Sequence, residues 1–297
     1  MSEALIITLV AEGRLSPGDA SAASDVVANT GAGIVAQSWL EAGDAFDIMA
    51  RGDAASIRAA LETALAAVDV IVQPAASPRR KTLIVADMDS TMISCECIDE
   101  LADYAGVKAQ VAAVTESAMR GELDFAGALH ARVALLKGLP VATLDQCLKE
   151  RVRLTPGART LVQTMVANGA RSLLVSGGFM HFAVPVARQI GFARVVANRL
   201  DLDGDVLAGT VADPIIDAAA KRILLEADGT ALSAALVVGD GANDIPMITA
   251  AVDAGGLGIA YHAKPKTAAA ARAHVRSGDL TVLLRAQGYR RADWING

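Results

Sequence analysis

The chain has 297 residues, of which 53% are hydrophobic and only 3% aromatic, and it carries a formal net charge of −6. That length suggests about two domains of ordinary size. The acidic balance offers no basic face for nucleic acid, and no stretch reaches the ~18–20 apolar residues of a membrane helix. Three cysteines are too few for a disulfide framework and fit a reducing cytoplasm. The opening Met1-Ser2-Glu3 leads into an apolar run, Ala4 to Ala11, that is broken by Thr8 and lacks a basic flank, so it does not read as a signal peptide.

In chain order, residues 4–10 read as a strand and Ala20 to Asn29 as a helix entered through the turn Ser16-Pro17-Gly18-Asp19. Ile34 to Leu40 and Ala45 to Ala50 read as strands joined by Glu41-Ala42-Gly43-Asp44. Asp53 to Ala67 is helical, with Asp53 able to cap it, and Val68 to Val72 closes the unit as a strand. The order β-α-β-β-α-β is a ferredoxin-like pattern, which assigns residues 1–75 to an α+β domain. It contains no cluster of catalytic residue types, and a docking or dimerisation module and a ligand sensor are both open readings. Residues 76–81 read as a linker, and 82–297 as the second domain.

Leu83 to Ala86 is a short apolar run that reads as a buried strand and ends in Asp87-Met88-Asp89-Ser90-Thr91. Two carboxylates one residue apart at the end of a strand sit where α/β proteins build their sites. One could attack phosphorus and the other handle protons, and their repulsion asks for a cation such as Mg²⁺. A solvated turn is the alternative for this motif by itself. The largely helical stretch about 95–150, broken at Gly121 and Gly138, is long enough to form a small helical cap over such a site.

The sheet resumes at Arg171 to Val175 and ends in Ser176-Gly177-Gly178-Phe179, after a helix expected to open at Pro156-Gly157 with proline in its first turn. Serine and backbone N–H groups at a strand-to-helix turn can hold an anion. Val195 to Ala197 reads as a strand, and Arg199 to Val211 as a hairpin about Asp203-Gly204-Asp205. Asp217 to Glu226 is helical and carries Lys221, a residue type usually solvated on such a helix. Leu236-Val-Val-Gly239-Asp240-Gly241-Ala242-Asn243-Asp244 is again a strand ending in carboxylates. Ile245 to Ala251 is expected to be helical, Leu257 to Ala260 a last strand, and Ala268 to Arg272 and Leu280 to Ala286 helices. In a doubly wound sheet the three motif-bearing strand ends converge.

Asp87-Met-Asp89-Ser-Thr91, Ser176, Lys221 and Gly239-Asp240-Gly-Ala-Asn-Asp244 together resemble the four motifs of the haloacid dehalogenase superfamily of phosphotransferases. The likeness covers about residues 82–262. Glu96 with Ile98-Asp99-Glu100, Thr115 to Phe125, Arg132 to Leu139 and Val175-Ser-Gly-Gly-Phe179 are similar to its phosphoserine phosphatase subfamily. The N-terminal unit resembles the ACT-like extension of long bacterial members. The resemblance implies a Rossmann-like core with a helical cap, and Mg²⁺-dependent hydrolysis of O-phosphoserine, the last step of serine biosynthesis.

It further implies roles. Asp87 is the nucleophile and Asp89 the acid and base. The Asp87 carboxylate, the Asp89 backbone carbonyl and the Asp240 carboxylate hold Mg²⁺. Ser176, the Gly177 N–H and Lys221 hold the phosphoryl oxygens, Asn243 contacts the phosphate or its surroundings, and Asp244 orients Lys221. In the cap, Glu96 faces the substrate ammonium, Arg132 its carboxylate, and Met119 and Phe125 close over it. A homodimer joined through the N-terminal unit completes the expectation, with no nucleic-acid or membrane partner. Cys95 and Cys97 depart from the subfamily pattern; a Cys-x-Cys metal pair would need two further ligands, and buried, redox-neutral thiols are the expected reading. Two rivals stay open: action on another small phosphate ester, including transfer to an acceptor alcohol, and a non-catalytic amino-acid sensor.

Overall fold

The computed structural model describes residues 3–295, apart from the side chain of Met119. The chain begins with β1 (Glu3–Val10), α1 (Pro17–Asn29), β2 (Gly33–Glu41), β3 (Ala45–Gly52), α2 (Ala54–Ala64) and β4 (Asp69–Pro74). Local chemistry sets the helix starts. Ser16 and Asp19 form a reciprocal capping box with Pro17 in the first turn of α1, and the Asp53 carboxylate accepts the Ser56 N–H at the start of α2. The four strands form an antiparallel sheet in the order β2-β3-β1-β4, the ferredoxin-like arrangement expected from the element order. Leu5, Ile7 and Leu9 alternate inward from β1 against Val27 of α1 and Ile57 and Leu61 of α2, giving this unit its own core. Helix α2 stops at Ala64, short of the expected Ala67.

The second unit opens with β5 (Leu83–Ala86), followed by four helices, α3 (Cys97–Tyr104), α4 (Lys108–Met119), α5 (Phe125–Ala134) and α6 (Val141–Glu150). Then come α7 (Ala158–Ala167), β6 (Arg171–Phe179), α8 (Met180–Ile190), β7 (Arg194–Asp203), β8 (Val206–Ala212) and α9 (Ala218–Glu226). The chain closes through β9 (Ala235–Gly239), α10 (Ile245–Asp253), β10 (Leu257–Tyr261), α11 (Pro265–Ala270), β11 (Ala273–Val275) and α12 (Val282–Ala286). The seven strands lie in the order β11-β10-β9-β5-β6-β7-β8. All neighbours are parallel except the β7–β8 hairpin. From β5 the chain winds first to one side through β6 and β7 and then to the other through β9 to β11, so the crevice at the end of β5 is a topological switch point. Leu83, Ile84, Val85 and Ala86 are all buried, as a strand covered on both faces requires.

Several boundaries differ from the expectations. Pro156 lies before the N-cap of α7, which is Gly157 in a left-handed conformation (φ 79°); a Cβ there would crowd the Thr281 backbone N, so glycine rather than proline sets this helix start. Strand β6 continues through Ser-Gly-Gly to Phe179 across an irregularity between Ser176 and Phe179. Helix α11 spans Pro265–Ala270 instead of starting at Ala268, because Pro265 occupies its first turn, and the residues beyond it turn into β11.

The N-terminal unit is fastened to the second by buried charge. The Asp69 carboxylate accepts the N–H groups of Arg276, Ser277 and Gly278 at 2.7, 3.2 and 2.7 Å. Arg285, fully buried, meets Glu12, Glu41 and Asp44 and stacks over Trp294. In the connecting stretch, Lys81 is buried and donates to the Pro78 and Ser233 carbonyls.

Candidate active site

The site forms where β5, β6 and β9 end, with α9 behind and α5 above. After Asp87 the chain turns sharply through Met88–Met92, where Ser90 takes a left-handed φ of 53°. A serine there is uncommon and stands where surrounding contacts fix it. Its N–H donates to the Cys95 carbonyl at 3.2 Å and its hydroxyl to Glu96 Oε1 at 2.6 Å. This turn separates the two carboxylates. Asp87 faces the end of β9, whereas Asp89 Oδ1 accepts the Cys97 N–H at 3.1 Å and Oδ2 faces the Ser176 hydroxyl at 3.4 Å.

Lys221 is not solvated. Asp217 caps α9 by accepting the Ala220 N–H at 2.8 Å, and the helix carries Lys221 inward to 0% exposure. Its ammonium donates to Asp87 Oδ1 and to Asp244 Oδ1, both at 2.7 Å. Burial pulls the lysine pKa down, but the Asp244 and Asp87 charges outweigh it and hold the ammonium protonated. The other oxygen of Asp244 accepts the Asp240 and Gly241 N–H groups at 3.2 and 3.0 Å, and a Cβ at Gly239 would collide with the Asp244 carboxylate. Asp244 is therefore fully engaged in fixing Lys221 and its own loop.

Oxygens of Asp87, Asp240 and Asp244 lie within 4.8 Å of one another, the one such group of metal-ligand types found among the described residues. With Asp244 engaged, Asp87 and Asp240 are the members with coordination capacity to spare; Asp240 Oδ1 accepts only the Thr91 hydroxyl, at 3.2 Å. Burial, then the Asp244 charge, pushes the Asp87 carboxyl well up. Burial, Asp244 and Glu96 push Asp240 up to about 7. Carboxyls that resist ionisation alone are the donor set a hard, oxygen-seeking cation fits. The Asp89 carboxylate stands outside this group; burial and then Glu96 push it up to about 6.

At the end of β6, Ser176 Oγ accepts the Gly178 N–H at 2.9 Å. A Cβ at Gly178 would collide with Asp89 Oδ2, and one at Gly177 would stand 2.9 Å from Phe125 Cζ. The two glycines thus let Asp89 and the cap approach the strand end closely. Phe125 opens α5, capped by Asp124 accepting the Gly127 N–H at 2.7 Å, and lies over Gly177. Arg132, two turns along the same face of α5, is half-buried and donates to the Ala128 carbonyl at 3.2 Å. Burial lowers its pKa, while Asp99, Glu96 and Asp89 oppose that shift, so Arg132 shares the field of the carboxylate side of the site. Glu96 is exposed at the N-cap of α3. The Asn243 side chain folds over Gly241, where a Cβ would collide with its Oδ1. Met119 ends α4, and its side chain lies outside the described residues.

Cys95, Cys97 and Cys147 are free thiols, the last two buried. Sequence reasoning missed Asn198, a buried amide joining Gly177 to Ile216; its signal was a lone amide closing the apolar strand run Val195-Val196-Ala197. A cavity of about 800 Å³ lined by Arg58, Glu62 and Arg272 lies against α2, away from all of these residues.

A Rossmann-like sheet whose switch point gathers an Asp-x-Asp turn, a Ser-Gly loop and a buried Lys–Asp pair defines the class. The family model of haloacid dehalogenase-like hydrolases matches residues 84–249, and the chain belongs to that family. Its curated relatives include the phosphoserine phosphatase of Albidiferax ferrireducens, 44% identical over 227 residues that make up 72% of this chain and 94% of the relative. The crystal structure of a probable phosphoserine phosphatase from Vibrio cholerae superposes with a TM-score of 0.74 at 32% identity, covering 96% of this chain and 87% of that one. A haloacid dehalogenase family hydrolase from Salmonella enterica serovar Typhi gives a TM-score of 0.79 at 25% identity, covering 95% and 97%. Within its family the chain is a phosphoric monoester hydrolase.

Proposed function

We propose that this chain is a Mg²⁺-dependent phosphoserine phosphatase that hydrolyses O-phospho-L-serine to L-serine and phosphate. The observation that carries the reading is the buried Lys221 ammonium bound to both Asp87 and Asp244, beside a second aspartate, Asp89, whose carboxyl is raised to about 6. The Lys221 ammonium works against the burial and the Asp244 charge that push the Asp87 carboxyl up, and, bound to Oδ1 alone, it leaves the second oxygen to attack phosphorus. As the new Asp87–phosphorus bond forms and the serine oxygen leaves, Asp89 donates its proton to that oxygen. A carboxyl near 6 keeps a far larger protonated fraction near neutrality than an ordinary aspartic acid, and positioned acid catalysis is worth ~10²–10⁴-fold. Water then attacks the aspartyl-phosphate. Asp89 takes the water proton, phosphate departs and the Asp87 carboxylate is restored.

Ser176, the Gly177 N–H and Lys221 hold the phosphoryl oxygens as charge shifts among them, and Asn243 closes the other side. The residues that would hold Mg²⁺ are Asp87 and Asp240 through carboxylates and Asp89 through its backbone carbonyl. When bound, the cation supplies neutralising charge between nucleophile and phosphate. In the cap, Glu96 and Arg132 take the ammonium and carboxylate of the substrate, Arg132 as a bidentate fork, and Phe125 with Met119 excludes water. This reading divides the chain into an ACT-like unit, 1–75, a linker at 76–81, and a catalytic unit, 82–297, with the cap inserted at about 95–150. It places the protein in the cytoplasm. β2, at the edge of the N-terminal sheet with Val35 65% exposed, supports dimerisation through that unit.

Asp87→Asn should abolish phosphate release from phosphoserine while leaving the thermal midpoint close to wild type. Residual turnover near the wild-type rate would assign the nucleophile elsewhere.

A further inference from the structure

We propose that Asn198 is a positioning residue for the phosphoryl group, locking the Gly177–Gly178 peptide to the segment that delivers Lys221. The inference rests on the phosphatase reading above. Asn198 lies in β7, one strand removed from β5, and is 1% exposed. Its side chain makes no hydrogen bond to the carboxylates. Its amide is nonetheless used at both ends: Nδ2 donates to the Gly177 carbonyl at 2.8 Å, and Oδ1 accepts the Ile216 N–H at 2.8 Å.

These two partners are backbone groups of the two segments that hold phosphate. Gly177 sits where β6 loses regular pairing with β7, between the pairs Ser176–Ala197 and Phe179–Asn198. There the ladder cannot orient the peptide, and the side-chain amide substitutes for it. The Gly177 carbonyl and the Gly178 N–H belong to one planar peptide. Gripping the carbonyl on one side therefore aims the N–H on the other at Ser176 Oγ, 2.9 Å away, and fixes the hydroxyl that the phosphoryl group needs. Ile216 immediately precedes Asp217, the N-cap of α9, and Lys221 lies one turn into that helix. A single rigid amide thus sets the separation between the Ser176–Gly177 loop and Lys221. Phe125 closes on Gly177 from the cap, so the same peptide also fixes where the cap lands.

Both groups act on the phosphoryl moiety and neither on the serine, so the expected defect is blind to the rest of the substrate. The test compares Asn198→Asp and Asn198→Ala with Ser172→Ala. Ser172 sits in β6 and accepts the Ala193 N–H at 2.9 Å through its buried hydroxyl, at the end away from the site, and controls for loss of a buried hydrogen bond. Asp keeps the acceptor for Ile216 but opposes an oxygen to the Gly177 carbonyl; Ala removes both bonds. Small misplacement of reacting groups costs up to ~10²-fold. The expected result is therefore a fall of ~10–100-fold in kcat/KM, by the same factor for phosphoserine and p-nitrophenyl phosphate, with weaker inhibition by inorganic phosphate. Ser172→Ala should lose thermal stability without these changes. If Asn198→Ala does not fold, Asn198→Asp decides the matter. Wild-type phosphate affinity and kcat/KM within twofold in a folded Asn198 variant overturn the proposal, as does a defect confined to phosphoserine. An inactive wild type overturns the phosphatase reading instead, which keeps the two failures distinct.

Discussion

Lys221→Met probes the charge balance on which the site depends. The wild-type ammonium is fully buried and 2.7 Å from each of two aspartate oxygens. Methionine fills comparable volume with no donor. The three clustered carboxyls then face one another without a cation. Removing one partner of a buried pair costs ~3–5 kcal/mol, because the remaining charge stays desolvated. Asp87, whose carboxyl burial already pushes up, escapes that cost by binding a proton, so its folded-state pKa rises further above the unfolded value. An acid raised in this way favours the folded state below the unfolded pKa and withdraws that support as pH rises through the folded pKa. In EDTA, urea unfolding of Lys221→Met should therefore show a deficit of ~3–5 kcal/mol near pH 7.5 that shrinks markedly near pH 5. Turnover should fall by at least ~10²–10³-fold, the cost of losing one preorganised donor to the transition state. A metal-free variant within ~0.5 kcal/mol of wild type at pH 7.5, the range of innocuous surface changes, would refute the argument that Lys221 neutralises a buried acidic cluster.

The same linkage applies to the wild type. Burial raises Asp89 to about 6 and Asp240 to about 7 from an ordinary 3.8; thermal midpoints in EDTA should fall as pH rises from 4.5 to 8, and Mg²⁺ should recover the loss at the alkaline end, whereas a flat profile would show the two groups ionising freely. Arg132→Ala should raise KM for phosphoserine far more than for p-nitrophenyl phosphate, and equal losses on both esters would remove Arg132 from the carboxylate role. Arg285→Met takes the fully buried guanidinium away from Glu12, Glu41 and Asp44, whose side chains are 28%, 33% and 15% exposed. Because water can reach these acids, the cost should be about 1–3 kcal/mol by urea unfolding, below that of a sealed pair, with phosphate release retained; loss of activity at full stability would point to coupling between the units.

Strand ends and turns were the most legible parts of this chain. Leu83 to Ala86 followed by Asp-x-Asp could be read as a buried strand entering a site, because a run buried on both faces can meet two carboxylates only where it leaves the sheet. Lys221 was legible only through its company: by itself it is one lysine on an amphipathic helix, and its burial depends on Asp87 and Asp244, 134 and 23 residues away. Strand β11 was missed because its three residues are too few to show a period of two. The extension of β6 to Phe179 was hidden because Gly-Gly ordinarily ends a strand, and here that weakness in the ladder is what Asn198 repairs. Asn198 itself left only a polar residue in an apolar run. Its partners are backbone atoms, which carry no residue identity for a sequence to display. The ion cluster about Arg285 was invisible for a related reason, since its acids lie about 240–270 residues earlier in the chain.

The most direct test of the central claim is phosphate release from O-phospho-L-serine, measured with and without Mg²⁺ beside phosphothreonine and p-nitrophenyl phosphate. Strict dependence on the cation and strong preference for phosphoserine are the predicted result. Cation-dependent activity confined to the generic ester would keep Asp87 as nucleophile and contradict the assignment of Glu96 and Arg132 to serine; no release from any ester would contradict the phosphatase account itself.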